Sequence, residues 1–191
     1  MRHIRTHRRS SALAACAAVA AVLGASAAAG VVVHDDVHDE RTFVEEHFCD
    51  VAGLDVTIDS TLDIQVRIGP RGPDGLLYFV SHGQQHEVLT ANGTSLTSDT
   101  TVNEKDHKIT VNPDGTLTVL VLATGNAVLS DSDGKAIARN PGQLRFELLI
   151  DEKGTPDPSD DEVTRLGNVK GSTGRSDDFC AAAVPALTGA P

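Results

Sequence analysis

The chain has no tryptophan and a single tyrosine, and aromatic residues make up only 3% of it. A core drawn from such a sequence must rest on valine, leucine and isoleucine, which suit strands at least as well as helices. Exposed aromatic platforms of the kind that stack on sugars or bases are correspondingly scarce. Cations are outnumbered too: 16 lysines and arginines face 27 aspartates and glutamates, for a formal net charge of −11. An acidic exterior repels phosphate backbones and anionic lipid, so nucleic acid is not an expected partner. Also missing are a Gly-x-Ser-x-Gly elbow, a phosphate loop and a Gly-x-Gly-x-x-Gly turn. These absences remove the usual sequence signatures of esterases, nucleotide hydrolases and dinucleotide-dependent enzymes. No cofactor is implied.

Cysteine is rare, with 3 in the chain, and their placement follows from the N-terminal segment. Arg2, Arg5, Arg8 and Arg9 precede an Ala, Val and Leu run over residues 11–24, and Ala25-Ser26-Ala27 supplies small residues at a cleavage position. Residues 1–27 therefore read as a signal peptide, cut after Ala27 or, as second choice, after Ala29. The run is too short and alanine-rich to span a bilayer, so no stable membrane anchor is expected once the signal is removed. Leu13-Ala14-Ala15-Cys16 has the outline of a lipoprotein box, yet the apolar stretch before Cys16 is short and apolar residues continue after it. Arg8-Arg9 is a weak twin-arginine match, with His7 before it and Ser10-Ser11-Ala12 after. Removing the signal leaves Cys49 and Cys180, which in an exported chain more often pair than stay free. Secretion to the extracellular side and one disulfide are the expectations.

What the chain has in abundance is alternation. Over residues 55–68 the even positions carry Val56, Ile58, Ser60, Leu62, Ile64, Val66 and Ile68, and the odd ones are polar. Side chains alternate across a strand, so this is a ribbon with one dry and one wet face. Fourteen residues would span roughly 46 Å, and Ser60 breaks the apolar row, so a bend, a bulge or two segments is expected there. Short strands follow at 76–81, 86–91 and 94–97, the last pair joined by Asn92-Gly93, a two-residue hairpin turn. Further candidates are 100–103 and 108–111, separated by the charged run 104–107, then 116–124, 127–130, 135–139, 143–151 and 163–170. Gly, Pro, Asn and Asp punctuate them, as in Asn112-Pro113-Asp114-Gly115. The pattern predicts a single all-β domain over 43–185, an antiparallel β-sandwich or small β-barrel of about 8 strands closed by one disulfide. A flexible acidic arm over 28–42 precedes it, and a short tail over 186–191 follows.

Candidate sites are weighed against plainer readings. His34 and His38, with Asp35 and Asp39, would gather around a metal only on a helix; a solvated arm is the plainer reading. His82 and His86 would lie about 13 Å apart on a strand, too far to share an ion. Asp131-Ser132-Asp133-Gly134 resembles half a calcium loop but lacks its remaining ligands, and reads as a hairpin turn. Asp157, Asp160, Asp161 and Glu162 are a better hard-cation cluster, with an ordinary acidic loop as the alternative. Ser172 and Ser176 sit beside Asp177 and Asp178 with no histidine near in sequence, which does not make a nucleophilic site.

From Phe48-Cys49, through Asn112-Pro113-Asp114-Gly115-Thr116-Leu117-Thr118-Val119, to Asp177-Asp178-Phe179-Cys180-Ala181-Ala182, the chain resembles small secreted all-β proteins of high-GC Gram-positive bacteria. The resemblance implies export and all-β architecture, and it implies no activity. The leading expectation is an exported β domain serving as a binding or structural module. Alternatives are a barrel-type enzyme or carrier for a small hydrophobic ligand, with His82, His86 or His107 at its mouth, and a calcium-stabilised domain.

Overall fold

The alternating ribbon becomes β2 (Val56–Arg71), paired antiparallel with β1 (Val33–Glu45) on one side and β3 (Leu76–Ala91) on the other. The structure, a computed structural model, describes residues 33–71, 75–155 and 160–189. The signal segment, Cys16, both cleavage positions and Asp157 lie outside the described residues. Beyond β3 follow β4 (Thr94–Val111), β5 (Leu117–Ser130), β6 (Ala136–Arg139), β7 (Gly142–Asp151) and β8 (Glu162–Thr173). All belong to one antiparallel sheet in the order β1-β2-β3-β4-β5-β7-β8, with β6 paired to β5. The sheet is open, its edges being β1 and β8. Among the described residues the remaining elements are a 3-10 turn (Phe48–Asp50) and one helix, α1 (Phe179–Thr188).

The all-β, single-disulfide expectation is borne out, and several details differ. Residues 33–45 are not a flexible arm: β1 pairs with β2 without a slip from Val33↔Ile68 to Glu45↔Val56. Its acids turn outward or lie along the exposed edge, where charge is tolerated and discourages pairing with another chain. β2 itself has no bulge or break, because Ser60, though only 4% exposed, has its hydroxyl satisfied by Gln85 Nε2 at 3.1 Å. Strand twist accommodates the length. The charged run 104–107 does not end a strand; it lies within β4, and the register shift falls there, between Asp106 and Lys108. The tail does not begin at residue 186, since α1 continues to Thr188. Asp178 caps its start, accepting from the Ala181 amide at 3.0 Å, and Gly189 at φ 66° ends it.

Pairing register sorts the sheet into two faces. On the inner face, Val56, Ile58, Leu89, Ala91, Leu96 and Leu129 pack with Phe48, Leu54 and Ala138 beneath Ala183 and Leu187 of α1. The helix thus covers one end of the sheet, and the Cys49–Cys180 disulfide pins it to the 3-10 turn. Farther along that face, Ile64, Val66, Val102, Val119, Val121 and Ala123 are also buried, with Gly83 set between Ile64 and Val102. A hydrogen-bonded band separates the two apolar regions: Gln85 Nε2 also donates to Glu87 at 2.8 Å. The face curls inward, for Arg165 of β8 acts electrostatically on Glu104 of β4, three strands away. Arg165 also lies 4.4 Å over the Phe146 ring. Burial pushes the carboxyls of Glu87, Glu104 and Asp106 above their usual values.

Candidate functional site

The outer face carries the polar halves of the alternating strands, and the register aligns them into rows. One row crosses the whole sheet: His34, Arg67, Val80, Lys105, Leu122, Arg145 and Lys170 stand opposite one another from β1 to β8. Directly beside it runs Asp36, Gln65, His82, Asn103, Thr124 and Gln143. The first row is cationic with apolar spacers; the second is amide, imidazole and hydroxyl. Among the described residues, no ion pair joins Arg67, Lys105, Arg145 or Lys170 to an acid. Arg145 Nε is buried without a hydrogen-bond partner.

Between β2 and β5 the two rows enclose an open hollow of about 410 Å³. Gln65, Arg67, Val80, His82, Asn103, Lys105, Leu122 and Thr124 line it from the outer face, with the intervening Ser81 and Glu104. Val80, 44% exposed, gives it an apolar floor. His82 is oriented by its neighbours: Nδ1 lies 2.9 Å from Asn103 Oδ1 and Nε2 lies 3.2 Å from Gln84 Nε2. The nearest acids on this face are Asp36 and Glu147, each one row removed from the cations.

Toward the hairpin at Asn92-Gly93 the same face turns acidic, and its histidines are paired with carboxylates. His38 Nδ1 lies 2.6 Å from Asp63 Oδ1, and His86 Nδ1 lies 2.7 Å from Asp99 Oδ1. The Asp63 hydrogen bond, then its charge, hold the His38 pKa above the ordinary value of 6.5. A raised folded-state pKa stabilises the protein below the unfolded value of about 6.5, and that contribution is lost as pH rises through the folded value. Asp63→Asn is expected to bring the His38 titration, followed by NMR of the ring protons, down toward about 6.5. An unmoved titration would assign the shift to another group.

The remaining candidates hold structural positions. His34 and His38 share the outer face, whereas Asp35 and Asp39 point to the other, so β1 cannot converge them on an ion. His82 and His86 each have a separate partner on β4. His107 lies at the β4 register shift and does not line the hollow. Asp131 is a turn former: its carboxylate accepts from the Asp133 and Lys135 amides at 3.1 and 2.9 Å. Of the calcium candidates, Asp160 accepts from Thr155 Oγ1 at 2.8 Å and Glu162 from Lys153 Nζ at 2.7 Å. Among the described residues no group of three His, Cys, Asp or Glu side chains is gathered for a metal. Asp177 accepts from the Arg139 amide at 2.9 Å and from Arg175 Nε at 2.6 Å, contacts that hold its carboxyl below its usual range. No helix among the described residues is long and apolar enough to cross a membrane.

No known protein family, curated protein or solved structure matches the chain.

Proposed function

We propose that the protein is exported and acts outside the cell as a binding module, with the outer sheet face as its contact surface. The observation that carries this reading is the asymmetry of the sheet. The inner face is packed under α1 and curls on itself, while the outer face keeps unpaired cations and an open hollow at Gln65–Thr124. The apolar packing of the inner face counts against a carrier with a lined interior, and His38, His82 and His86 of the outer face are paired with carboxylate or amide side chains rather than with a nucleophile. Export rests on residues 1–27 and on the pairing of Cys49 with Cys180, a bond favoured in oxidising compartments.

Mass spectrometry of the protein recovered from culture medium tests the reading. The expected mature N-terminus is Ala28, or Gly30 from the second cleavage position, with both remaining cysteines oxidised. A chain found only inside cells with Met1 retained and free thiols would overturn it.

A further inference from the structure

The paired rows on the outer face specify a kind of ligand, an inference that rests on that face being the binding surface. We infer that the face binds a carboxylate-bearing polysaccharide, a polyuronate, laid across the strands from β2 toward β8. Its carboxylates meet Arg67, Lys105, Arg145 and Lys170, and its hydroxyls meet Gln65, Asn103, Thr124 and Gln143.

The cations support the first half. None of these four cations makes an ion pair among the described residues, so the row stands as uncompensated positive charge in a chain of net charge −11. Arg145, whose Nε is buried without a hydrogen-bond partner, stands opposite Leu122 and Lys170, where a carboxylate lying on the row would pair with its charge. Neighbouring strands lie about 4.8 Å apart, so Arg67, Lys105 and Arg145, each two strands from the next, recur about every 10 Å. Val80 and Leu122 fill the intervals. The complementary ligand carries separated charges with less polar surface between them, as a string of sugar rings does.

The neighbouring row supports the second half. Amide and hydroxyl side chains both donate and accept, which matches sugar hydroxyls and gives a bare phosphate chain little to recognise. Single-stranded nucleic acid would need bases stacked on aromatic rings. Neither row holds a Phe, Tyr or Trp, the only rings being the imidazoles of His34 and His82, and Tyr78 nearby has the Arg71 guanidinium 5.5 Å over its ring. Glycan recognition here is ionic and hydrogen-bonded rather than by stacking, which is how a chain poor in aromatics would achieve it.

The test is binding of the secreted protein to immobilised polygalacturonate, compared with neutral dextran and single-stranded DNA. Polygalacturonate is expected to bind with an affinity that falls as salt screens the charges, and dextran and DNA at least roughly tenfold more weakly. The double substitution Arg67→Glu/Lys105→Glu is expected to reduce polygalacturonate binding by roughly tenfold or more. Lys135→Glu, on the exposed turn before β6, is expected to leave it unchanged. Should the double reversal fail to fold, Arg67→Gln/Lys105→Gln is read in its place. No binding to polygalacturonate, equal binding to DNA, or binding indifferent to the row substitutions would overturn the inference. A protein that is secreted and oxidised but does not bind would refute the ligand while leaving the exported module standing.

Discussion

Replacing Cys49 and Cys180 together with alanine is expected to cost roughly 4 kcal/mol of stability and to lower Tm by about 10 °C. The bond joins residues 131 apart in sequence, so it restrains nearly the whole described chain in the unfolded state. A second contribution is local. His47, Cys49 and Asp50 all have left-handed backbone, at φ 55°, 56° and 62°, a conformation unfavourable for residues with a Cβ. That corner is held by the disulfide, by burial of Phe48, and by its amide donating to the Leu54 carbonyl at 2.7 Å. Without the bond, the remaining restraints carry the strain alone. Urea unfolding of the oxidised protein and the double variant gives the measurement. The variant should show both a lower midpoint and a steeper m, since an unbridged chain exposes more surface when it unfolds. A loss below about 1 kcal/mol would mean that packing alone fixes the corner and that the loop-closure account of this bond fails.

How far the sheet could be read from the chain depended on its turns. Alternation places Arg67 on the wet face without any structure, and the register that Asn92-Gly93 sets for its own hairpin reaches Val80 opposite Lys105 only once β4 runs on past residue 103. The next step fails. Counting back from the Asn112–Gly115 turn would set Lys105 against Ala123, on the inner face, whereas it stands against Leu122 because the bulge at Asp106/Lys108 inserts a residue. A bulge leaves no composition signal in a run such as Glu104-Lys105-Asp106-His107, and that run reads as a loop. The cationic row was therefore invisible even though each member lies in a strand. β1 was obscured differently, because an edge strand exposed on much of its surface has the composition of a solvated arm. In α1, Pro185 and small side chains suppress the helical pattern, so the segment reads as the end of the β domain and a tail.

Leu187→Ala is expected to cost about 3 kcal/mol, the lost burial of the removed carbons plus a term for the cavity left behind. The side chain is 0% exposed and belongs to the cluster with Leu89, Leu96 and Leu129, so no neighbouring water or loop can fill the space. Its backbone is engaged as well: Asn92 Nδ2 donates to the Leu187 carbonyl at 3.1 Å, tying the β3–β4 hairpin to the end of the helix. Leu187→Met, which nearly conserves volume, should cost less than about 1.5 kcal/mol, and Val169→Ala on the exposed face of β8 should change stability by less than about 0.5 kcal/mol. Thermal unfolding of the three variants separates a packing role from a general effect of substitution. Combining Leu187→Ala with the cysteine replacements gives the more searching result. Both perturbations act on α1, one through its first turn and the other through its last, so their losses should not add. If the helix is released as a unit by either change, the combined variant loses less than the sum. Strict additivity would instead mean that the two ends of α1 are anchored independently, the disulfide to the 3-10 turn and Leu187 to the sheet.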